Sequence, residues 1–248
     1  MKKTFRVLAV IAVMLLIAAQ SAFPEISVPS LISDGMVLQR DTRLNIWGWG
    51  SPGERARVKF TGKTFSTVTD ASGLWIVQLP PVKAGGPHEM EIRGRNTITI
   101  RDILIGDVWF CSGQSNMVLN MERVKEKYPS DIAAADYPQI RNFFIPTVSD
   151  AAREHNEVPP GKWIAASPAN VPGFGALTFF FARDLYNEYQ VPIGIINSSV
   201  GGTPIEAWIS KEGFKKFPHL SERVANLRDT AWLNPVMKSA RKAADMMQ

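Results

Sequence analysis

Ser115 lies in a stretch whose pattern is typical of a nucleophile at a strand-to-helix turn. A nearly continuous apolar run at 103–110 precedes it, and apolar residues at helical spacing follow in 116–124. Such a run predicts a strand buried on both faces, so the serine falls at the carboxyl edge of a parallel sheet, where open α/β folds bind ligands. A helix N-terminus there would favour an alkoxide and a developing oxyanion. An N-cap serine explains the position equally well, and G-x-S-x-G is not matched, because Met117 stands where that elbow needs glycine.

Asn197 ends a second apolar run, residues 192–197, and is followed by Ser198 and Ser199. Polar side chains at the carboxyl end of a parallel strand are more typical of a site than of packing. Gly201 and Gly202 come next and permit close approach of the backbone. Thr203-x-x-Glu206 matches a capping box with proline at the first helical position, which predicts a helix beginning there.

Two glycine clusters have different interpretations. Gly173 and Gly175 precede an apolar pattern that predicts a helix over 176–189, so they form either a plain loop or a backbone donor aimed at the same crevice. Gly48-x-Gly50-x-x-Gly53 matches a dinucleotide fingerprint as a string, but a strand pattern follows it instead of a helix. The cluster of Gly48, Gly50 and Gly53 therefore indicates β-turns.

The hydrophobic periodicity divides the chain into two halves. Residues 26–101 alternate with period two between Gly, Pro, Asp and Ser turns, which predicts an antiparallel β-sandwich. Strand and helix patterns alternate beyond that point, which predicts a parallel sheet with helices on both faces. We place the boundary near 101–105, giving a β-sandwich domain at 23–102 and an α/β domain at 103–248.

Charge and composition exclude several classes. The formal net charge of +5 comes from the ends, because the body between residues 23 and 210 has 17 basic against 19 acidic side chains. A nucleic-acid binder concentrates Lys and Arg on its folded body, so we expect no nucleic-acid partner. Cys111 is the one cysteine and cannot form an internal disulfide. The sequence has no metal-binding motif, so we expect no metal.

The first 22 residues have the composition of an export signal. Lys2, Lys3 and Arg6 precede thirteen apolar residues at 7–19, and small residues follow. A helix of thirteen residues spans about 20 Å, which is short of a bilayer core. We therefore expect export to the periplasm or the outside of the cell, with a short membrane anchor as the alternative.

The sequence resembles the sialate O-acetylesterase group of SGNH/GDSL-type hydrolases. The matching segments are 34–40 (DGMVLQR), 45–48 (NIWG), 107–112 (DVWFCS), 113–117 (GQSNM) and 197–208 (NSSVGGTPIEAW). The resemblance implies an SGNH-hydrolase-like parallel sheet flanked by helices, incomplete in this chain and preceded by a small antiparallel β-sandwich. It also implies a cofactor-free serine esterase that removes O-acetyl groups from sialic acids or other acetylated glycans.

The same resemblance assigns roles to particular residues. Ser115 would be the nucleophile, and the Ser115 N–H, Gly173 and Asn197 would form the oxyanion hole, with Gly175 as the alternative glycine. Gln114, Asn116, Gly201 and Gly202 would contact substrate.

One departure from the family pattern affects the expected activity. The family's catalytic Asp and His belong to an Asp-x-x-His block near the C-terminus, whereas His88, His155 and His219 here lack an aspartate three residues earlier. We therefore expect impaired activity from this chain alone, with a separate C-terminal polypeptide as one source of Asp and His. The alternative is a non-catalytic glycan-binding protein with a vestigial esterase domain, in which Trp47, Trp49 and Trp75 could stack on sugars.

Overall fold

The computed structural model describes residues 25–148, 150, 154–226 and 229–245. The expected export signal lies outside the described residues. The strands, numbered in chain order, are β1 Val37–Gln39, β2 Leu44–Trp49, β3 Arg55–Phe60, β4 Lys63–Val68, β5 Leu74–Leu79, β6 Gly85–Arg93, β7 Thr97–Gly113, β8 Tyr137–Phe144, β9 Trp163–Ala166 and β10 Ile193–Ser199. The α-helices are α1 Ser115–Val118, α2 Pro129–Ala133, α3 Ala176–Tyr189, α4 Lys211–Phe214, α5 Pro218–Asn226 and α6 Thr230–Asp245.

The first half packs a two-stranded sheet, β2 with β5, against the strands β4-β3-β6-β7. Alternate residues of β3 are buried, as the period-two pattern predicts. Val58, Phe60 and Ile92 are completely enclosed in the shared core, and each such side chain contributes about 1.5–3 kcal/mol through burial. Trp75 belongs to this core as well.

Strand β7 is 17 residues long and crosses the expected domain boundary. Its first part pairs with β6, and residues 107–113 pair with β10. Asp102, inside the expected boundary, has a positive φ of 57°. The two halves of the fold are therefore built on one continuous strand.

The second half is the α/β layer that the sequence predicts. Strands β7, β10 and β8 are parallel in that order, and β9 adds an antiparallel edge. Helix α3 has the predicted bounds and packs Phe179 and Ala182 against Ile193 and Ile195. The α/β fold class is confirmed.

In the described part of the chain, the two faces of this sheet have different neighbours. Phe143 belongs to the core of the first half, and Ile196 packs against that core. Both side chains therefore face away from α3. The β-sandwich therefore covers this face of the sheet.

An ion pair fastens the two halves together. The Arg141 guanidinium on β8 donates to both carboxylate oxygens of Asp102, over 2.9 and 3.2 Å, and to the carbonyl of Gly35. Arg141 is only 8% exposed. Because a buried guanidinium needs partners, these contacts fix β8 against the strand that carries Asp102.

The helix expected over 116–124 is broken into two pieces. Helix α1 ends at Val118, and a 3₁₀ helix Met121–Val124 follows. Asn120 interrupts the helix because its side chain accepts from the Arg123 N–H and its backbone forms a bridge with Gly175. Asn favours such local bonding over a helix interior.

The predicted capping box at Thr203 is also wrong. A 3₁₀ helix, Ile205–Trp208, forms there with Pro204 as its N-cap. The Thr203 hydroxyl instead donates to the Val200 carbonyl and accepts from the Trp208 indole. These two bonds occupy the hydroxyl that the capping box required.

Candidate active site

Ser115 lies at the strand-to-helix turn that the sequence predicts. Strand β7 ends at Gly113, whose φ of 144° suits glycine, and Ser115 is the first residue of α1. The Gln114 carbonyl accepts from the N–H groups of Met117 and Val118, both over 3.0 Å. The Ser115 N–H therefore lies at the very start of the helix, before the first N–H group that bonds back to Gln114.

The Ser115 hydroxyl is exposed and close to Gly201. It donates to Oε1 of Gln114 over 3.1 Å. A Cβ placed on Gly201 would lie 3.9 Å from this hydroxyl oxygen. Gly201 thus leaves open space beside the candidate nucleophile.

Asn197 is held in one orientation on the neighbouring strand. It pairs with Cys111 on β7, is 2% exposed, and accepts at Oδ1 from the Ser199 hydroxyl over 2.6 Å. Its Nδ2 makes no hydrogen bond within the described part of the chain. The amide N–H groups are therefore available to a ligand.

Gly175, not Gly173, contacts the Asn197 amide. A Cβ on Gly175 would lie 3.0 Å from Asn197 Nδ2 and 2.9 Å from the Met117 carbonyl oxygen, whereas a Cβ on Gly173 would meet open space. The Gly173 N–H already donates to the Asn170 carbonyl, over 3.0 Å. The Gly175 N–H makes no bond to any described residue.

The other expected site residues have fewer contacts. Gln114 bonds the Ser115 hydroxyl, and Asn116 is exposed on α1. Gly202 has a φ of 75°, and a Cβ there would meet nothing within 4 Å. The structure thus brings Ser115 beside Gly201 and Asn197 beside Gly175.

Sequence reasoning gave Ser199 no role of its own. Residues two apart on a strand share a face, and this spacing places the Ser199 hydroxyl beside the Asn197 amide. The Asn-x-Ser spacing at a strand end is the sequence signal that indicates this contact.

A cavity of about 630 Å³ lies at the carboxyl ends of β8 and β10. Ser198, Val200, Trp208 and His155 are among its described lining residues, and Ser115 is not. The Nε2 of His155 lies 2.7 Å from Oδ2 of Asp150. His155 on the cavity wall is thus paired with a carboxylate.

The described histidines are not bonded to Ser115. His88 on β6 packs its ring against Phe60 at 5.8 Å, His155 pairs with Asp150, and His219 belongs to α5. The Ser115 hydroxyl therefore has no imidazole partner in the part of the chain that the structure describes.

Within the described ranges, no three His, Cys, Asp or Glu side chains are grouped so that they could hold a metal ion. None of the described helices combines the length and the apolar character needed to cross a bilayer.

The Trp residues considered for sugar stacking have different environments. Trp75 is 1% exposed and its indole N–H donates to the Trp49 carbonyl, so it is a core residue. Trp47 and Trp49 line a surface groove together with Asn45 and Ile76.

The comparisons with known proteins agree on one family. The statistical model of a family described as "Carbohydrate esterase, sialic acid-specific acetylesterase" matches residues 105–235. The chain is 34% identical over 238 residues to a sialate O-acetylesterase from Rattus norvegicus, and 33% identical over 228 residues to one from Homo sapiens. These alignments cover 87% and 84% of this chain, but 42% and 43% of those relatives.

A solved structure supports the same comparison. A carbohydrate acetylesterase from Xanthomonas citri matches with a TM-score of 0.71 and 40% sequence identity. The match covers 75% of this chain and 43% of that enzyme. The chain thus spans less than half the length of the relatives that it matches.

Proposed function

Because the chain belongs to the carbohydrate esterase family of sialic acid-specific acetylesterases, we propose that it acts as a serine esterase on O-acetyl groups of sialic acids or other acetylated glycans. The names of the relatives support this substrate class. The observation that carries the proposal is the exposed Ser115 hydroxyl at the carboxyl edge of the parallel sheet. It lies one strand away from Nδ2 of Asn197, which has no hydrogen-bond partner among the described residues.

In the proposed reaction the Ser115 Oγ attacks the acetyl carbonyl carbon, and the carbonyl oxygen becomes an oxyanion. Collapse of the tetrahedral intermediate releases the sugar hydroxyl and leaves an acetyl-serine, which water then hydrolyses to acetate. Acyl transfer of this kind needs no cofactor.

We assign the oxyanion hole to the Ser115 N–H, the Gly175 N–H and Nδ2 of Asn197. Preorganised donors of this kind stabilise the charge that develops in the transition state. Gly175 takes the role that the sequence assigned to Gly173, because the Gly173 N–H is already bonded to Asn170. The proposed acyl site is flanked by Gln114, Asn116, Gly201 and Gly202.

The proposed base is a histidine held by an aspartate on chain outside this sequence. The three histidines present lack the Asp-x-x-His spacing, and His88 and His155 contact other partners than Ser115. In this proposal the Asp and His come either from a longer form of the chain or from a separate C-terminal polypeptide. We also propose export, on the basis of the signal-like composition of residues 1–22.

The test is hydrolysis of p-nitrophenyl acetate and of O-acetylated sialic acid by the purified chain. We expect weak turnover, because triad enzymes without their base keep only about 10³–10⁴-fold acceleration over water. Because this residual acceleration comes from the oxyanion hole and from binding, Ser115→Ala, His155→Ala and His219→Ala should leave it nearly unchanged. Ser115→Ala should instead abolish the turnover that is gained when a polypeptide carrying the Asp and His is added. Turnover with the added polypeptide that survives Ser115→Ala would contradict the proposed nucleophile. Turnover of the chain alone that is lost in a histidine variant would contradict the proposed external base.

A further inference from the structure

The solvent face of the two-stranded sheet carries two tryptophans. Trp47 and Trp49 lie two residues apart on β2, so their side chains share one face of the sheet, about 7 Å apart along the strand. Their partners on β5 are Ile76, which is 48% exposed, and Leu74. Within the described ranges, neither indole stacks on another aromatic ring or donates its N–H to a hydrogen bond. Two half-buried rings therefore present apolar surface and unused donors to the solvent.

The backbone that carries these rings is fixed. Ser27 and Trp49 exchange two hydrogen bonds, over 2.8 and 3.0 Å, and the Trp75 indole donates to the Trp49 carbonyl. Gly48 permits this close approach, since a Cβ there would clash with the Ser27 carbonyl oxygen. Trp47 also packs against the core of the first half. The two rings are thus preorganised, which lowers the entropic cost of binding a ligand.

Polar side chains complete a groove of about 510 Å³ around the rings, here called the tryptophan groove. Asn45, Ser72 and Asn156 line it together with the two indoles, and none of its described lining residues is charged. Apolar surface with a few hydrogen-bonding groups is typical of a small-molecule site. An uncharged pyranose matches this surface, because its C–H faces stack on aromatic rings while its hydroxyls bond to amides.

One carboxylate stands beside the tryptophan groove. The hydroxyl and the N–H of Ser72 both donate to Oδ1 of Asp70, over 2.6 and 2.8 Å. These bonds, with that of the hydroxyl as the largest cause, hold the pKa of Asp70 below its usual range, so the group is ionised at neutral pH. With an anion beside Ser72 and no cation among the described lining residues, the groove does not complement the carboxylate of a sialic acid.

The tryptophan groove adjoins the cavity at the carboxyl ends of β8 and β10. Asn156 lines the groove, while the residues on either side of it in the chain line that cavity. The cavity is also lined by Val200, and the next residue, Gly201, lies beside the Ser115 hydroxyl. One loop therefore separates the groove from a cavity that leads towards the candidate nucleophile.

We propose that the tryptophan groove binds the uncharged sugar units that follow the acetylated residue in a glycan substrate. A sialic acid is joined through its anomeric carbon to a neutral sugar chain, so the acidic unit and its neutral neighbours need different surfaces. The acetylated unit would lie at Ser115, and neutral units would stack on Trp47 and Trp49 with their hydroxyls bonded to Asn45 and Asn156. Only the assignment of this chain to the esterase substrate rests on the proposed function.

The experiment is a titration of the full chain with lacto-N-neotetraose, a neutral tetrasaccharide. Two-dimensional NMR spectra follow the indole N–H signals, which are assigned by single Trp→Phe variants. The signals of Trp47 and Trp49 should shift and saturate, while that of Trp232 on α6 should not move. Free N-acetylneuraminic acid at the same concentrations should leave the signals of Trp47 and Trp49 in place.

Two alanine variants separate the groove from other exposed aromatic surface. Trp49→Ala removes one ring but keeps the backbone bonds to Ser27, and it should weaken tetrasaccharide binding by about tenfold or more. Trp232→Ala is the matched control, because Trp232 is 38% exposed and lies on a helix outside the described lining of the groove. This variant should bind as tightly as the wild type. An unchanged urea midpoint shows that each variant is folded.

Several outcomes would overturn the proposal. They are the absence of tetrasaccharide binding, unchanged binding in Trp49→Ala, and equal losses in the two alanine variants. Displacement of the tetrasaccharide by N-acetylneuraminic acid would show an acidic-sugar site instead. Signals of Trp47 and Trp49 that shift with the concentration of the chain alone would show that a second copy occupies the groove.

The titration involves no ester, so its result is independent of the esterase assay. Groove binding by a chain that gains no Ser115-dependent turnover with the added polypeptide would support the tryptophan groove and overturn the proposed function. Ser115-dependent turnover without groove binding would support the proposed function and overturn the tryptophan groove.

Discussion

The Ser199 hydroxyl donates to Oδ1 of Asn197 over 2.6 Å, and both residues are buried at the end of β10. This bond fixes which end of the amide faces the protein, so that Nδ2 faces the side where Gly175 lies. A serine without contact to substrate therefore orients a donor that we assign to the oxyanion hole.

Replacing Ser199 by alanine should lower the Ser115-dependent rate of p-nitrophenyl acetate hydrolysis by about tenfold, because the Asn197 amide loses its fixed orientation. Ser198→Ala is the matched control, since Ser198 points to the opposite face of the same strand. Equal rates for the two variants would remove the orienting role of Ser199.

The two candidate glycines should respond differently to a methyl group. In Gly175→Ala the new Cβ would approach Asn197 Nδ2 to 3.0 Å and the Met117 carbonyl oxygen to 2.9 Å, so the site must shift. We expect the Ser115-dependent rate to fall by about 10²-fold, as for the loss of one oxyanion donor. Gly173→Ala, where nothing lies within 4 Å, should keep the wild-type rate. A larger loss of rate in Gly173→Ala than in Gly175→Ala would assign the oxyanion role to Gly173.

The Arg141–Asp102 pair should contribute measurably to stability. Asp102→Asn keeps the shape and tolerates the positive φ, but it leaves the buried guanidinium without its counter-charge. We expect the free energy of unfolding in urea to fall by about 1.5–3 kcal/mol.

Asp41→Asn is a matched control for that experiment. Asp41 also has a positive φ, of 58°, and pairs with a lysine, Lys83, but this pair is exposed. Exposed pairs contribute little to stability, so the urea midpoint should not change. Equal destabilisation by the two variants would show that the charge on Asp102 has no special role.

Cys111 should react slowly in the folded chain. Burial raises the pKa of its thiol, so less thiolate is present at neutral pH than in the unfolded chain. We expect iodoacetamide at pH 7.5 to alkylate the folded chain several-fold more slowly than the chain in urea, as followed by intact mass. The raised pKa also means that stability falls as pH rises above the unfolded thiol pKa of about 8.5. Equal alkylation rates in the two states would contradict the protected thiol.

Local patterns sufficed for much of the fold. The bounds of α3 follow from apolar spacing in 176–189, and the strands of the first half follow from period-two alternation. These signals depend on which face of an element is buried, and that information is written along the sequence itself.

Local patterns failed where another partner, distant in one case and nearby in the other, competed for the same groups. The helix expected over 116–124 breaks at Asn120 because Gly175, 55 residues later, pairs with its backbone. The Thr203 hydroxyl is taken by Val200 and Trp208 rather than by a helix N-terminus. A capping or helical pattern describes what a segment can form, and tertiary contacts select among the possibilities.

The sequence by itself determined that Ser115 follows a buried strand, that Asn197 ends another, and that no Asp-x-x-His accompanies them. Only the tertiary structure decided which glycine contacts the Asn197 amide, because Gly173 and Gly175 differ in whether their N–H is already bonded. It alone showed that β10 is the neighbour of β7 over residues 107–113, since strand pairing depends on the register with a distant segment. The first result depends on a nearby carbonyl, that of Asn170, and the second on a strand distant in the chain. Residue types and spacing specify neither partner.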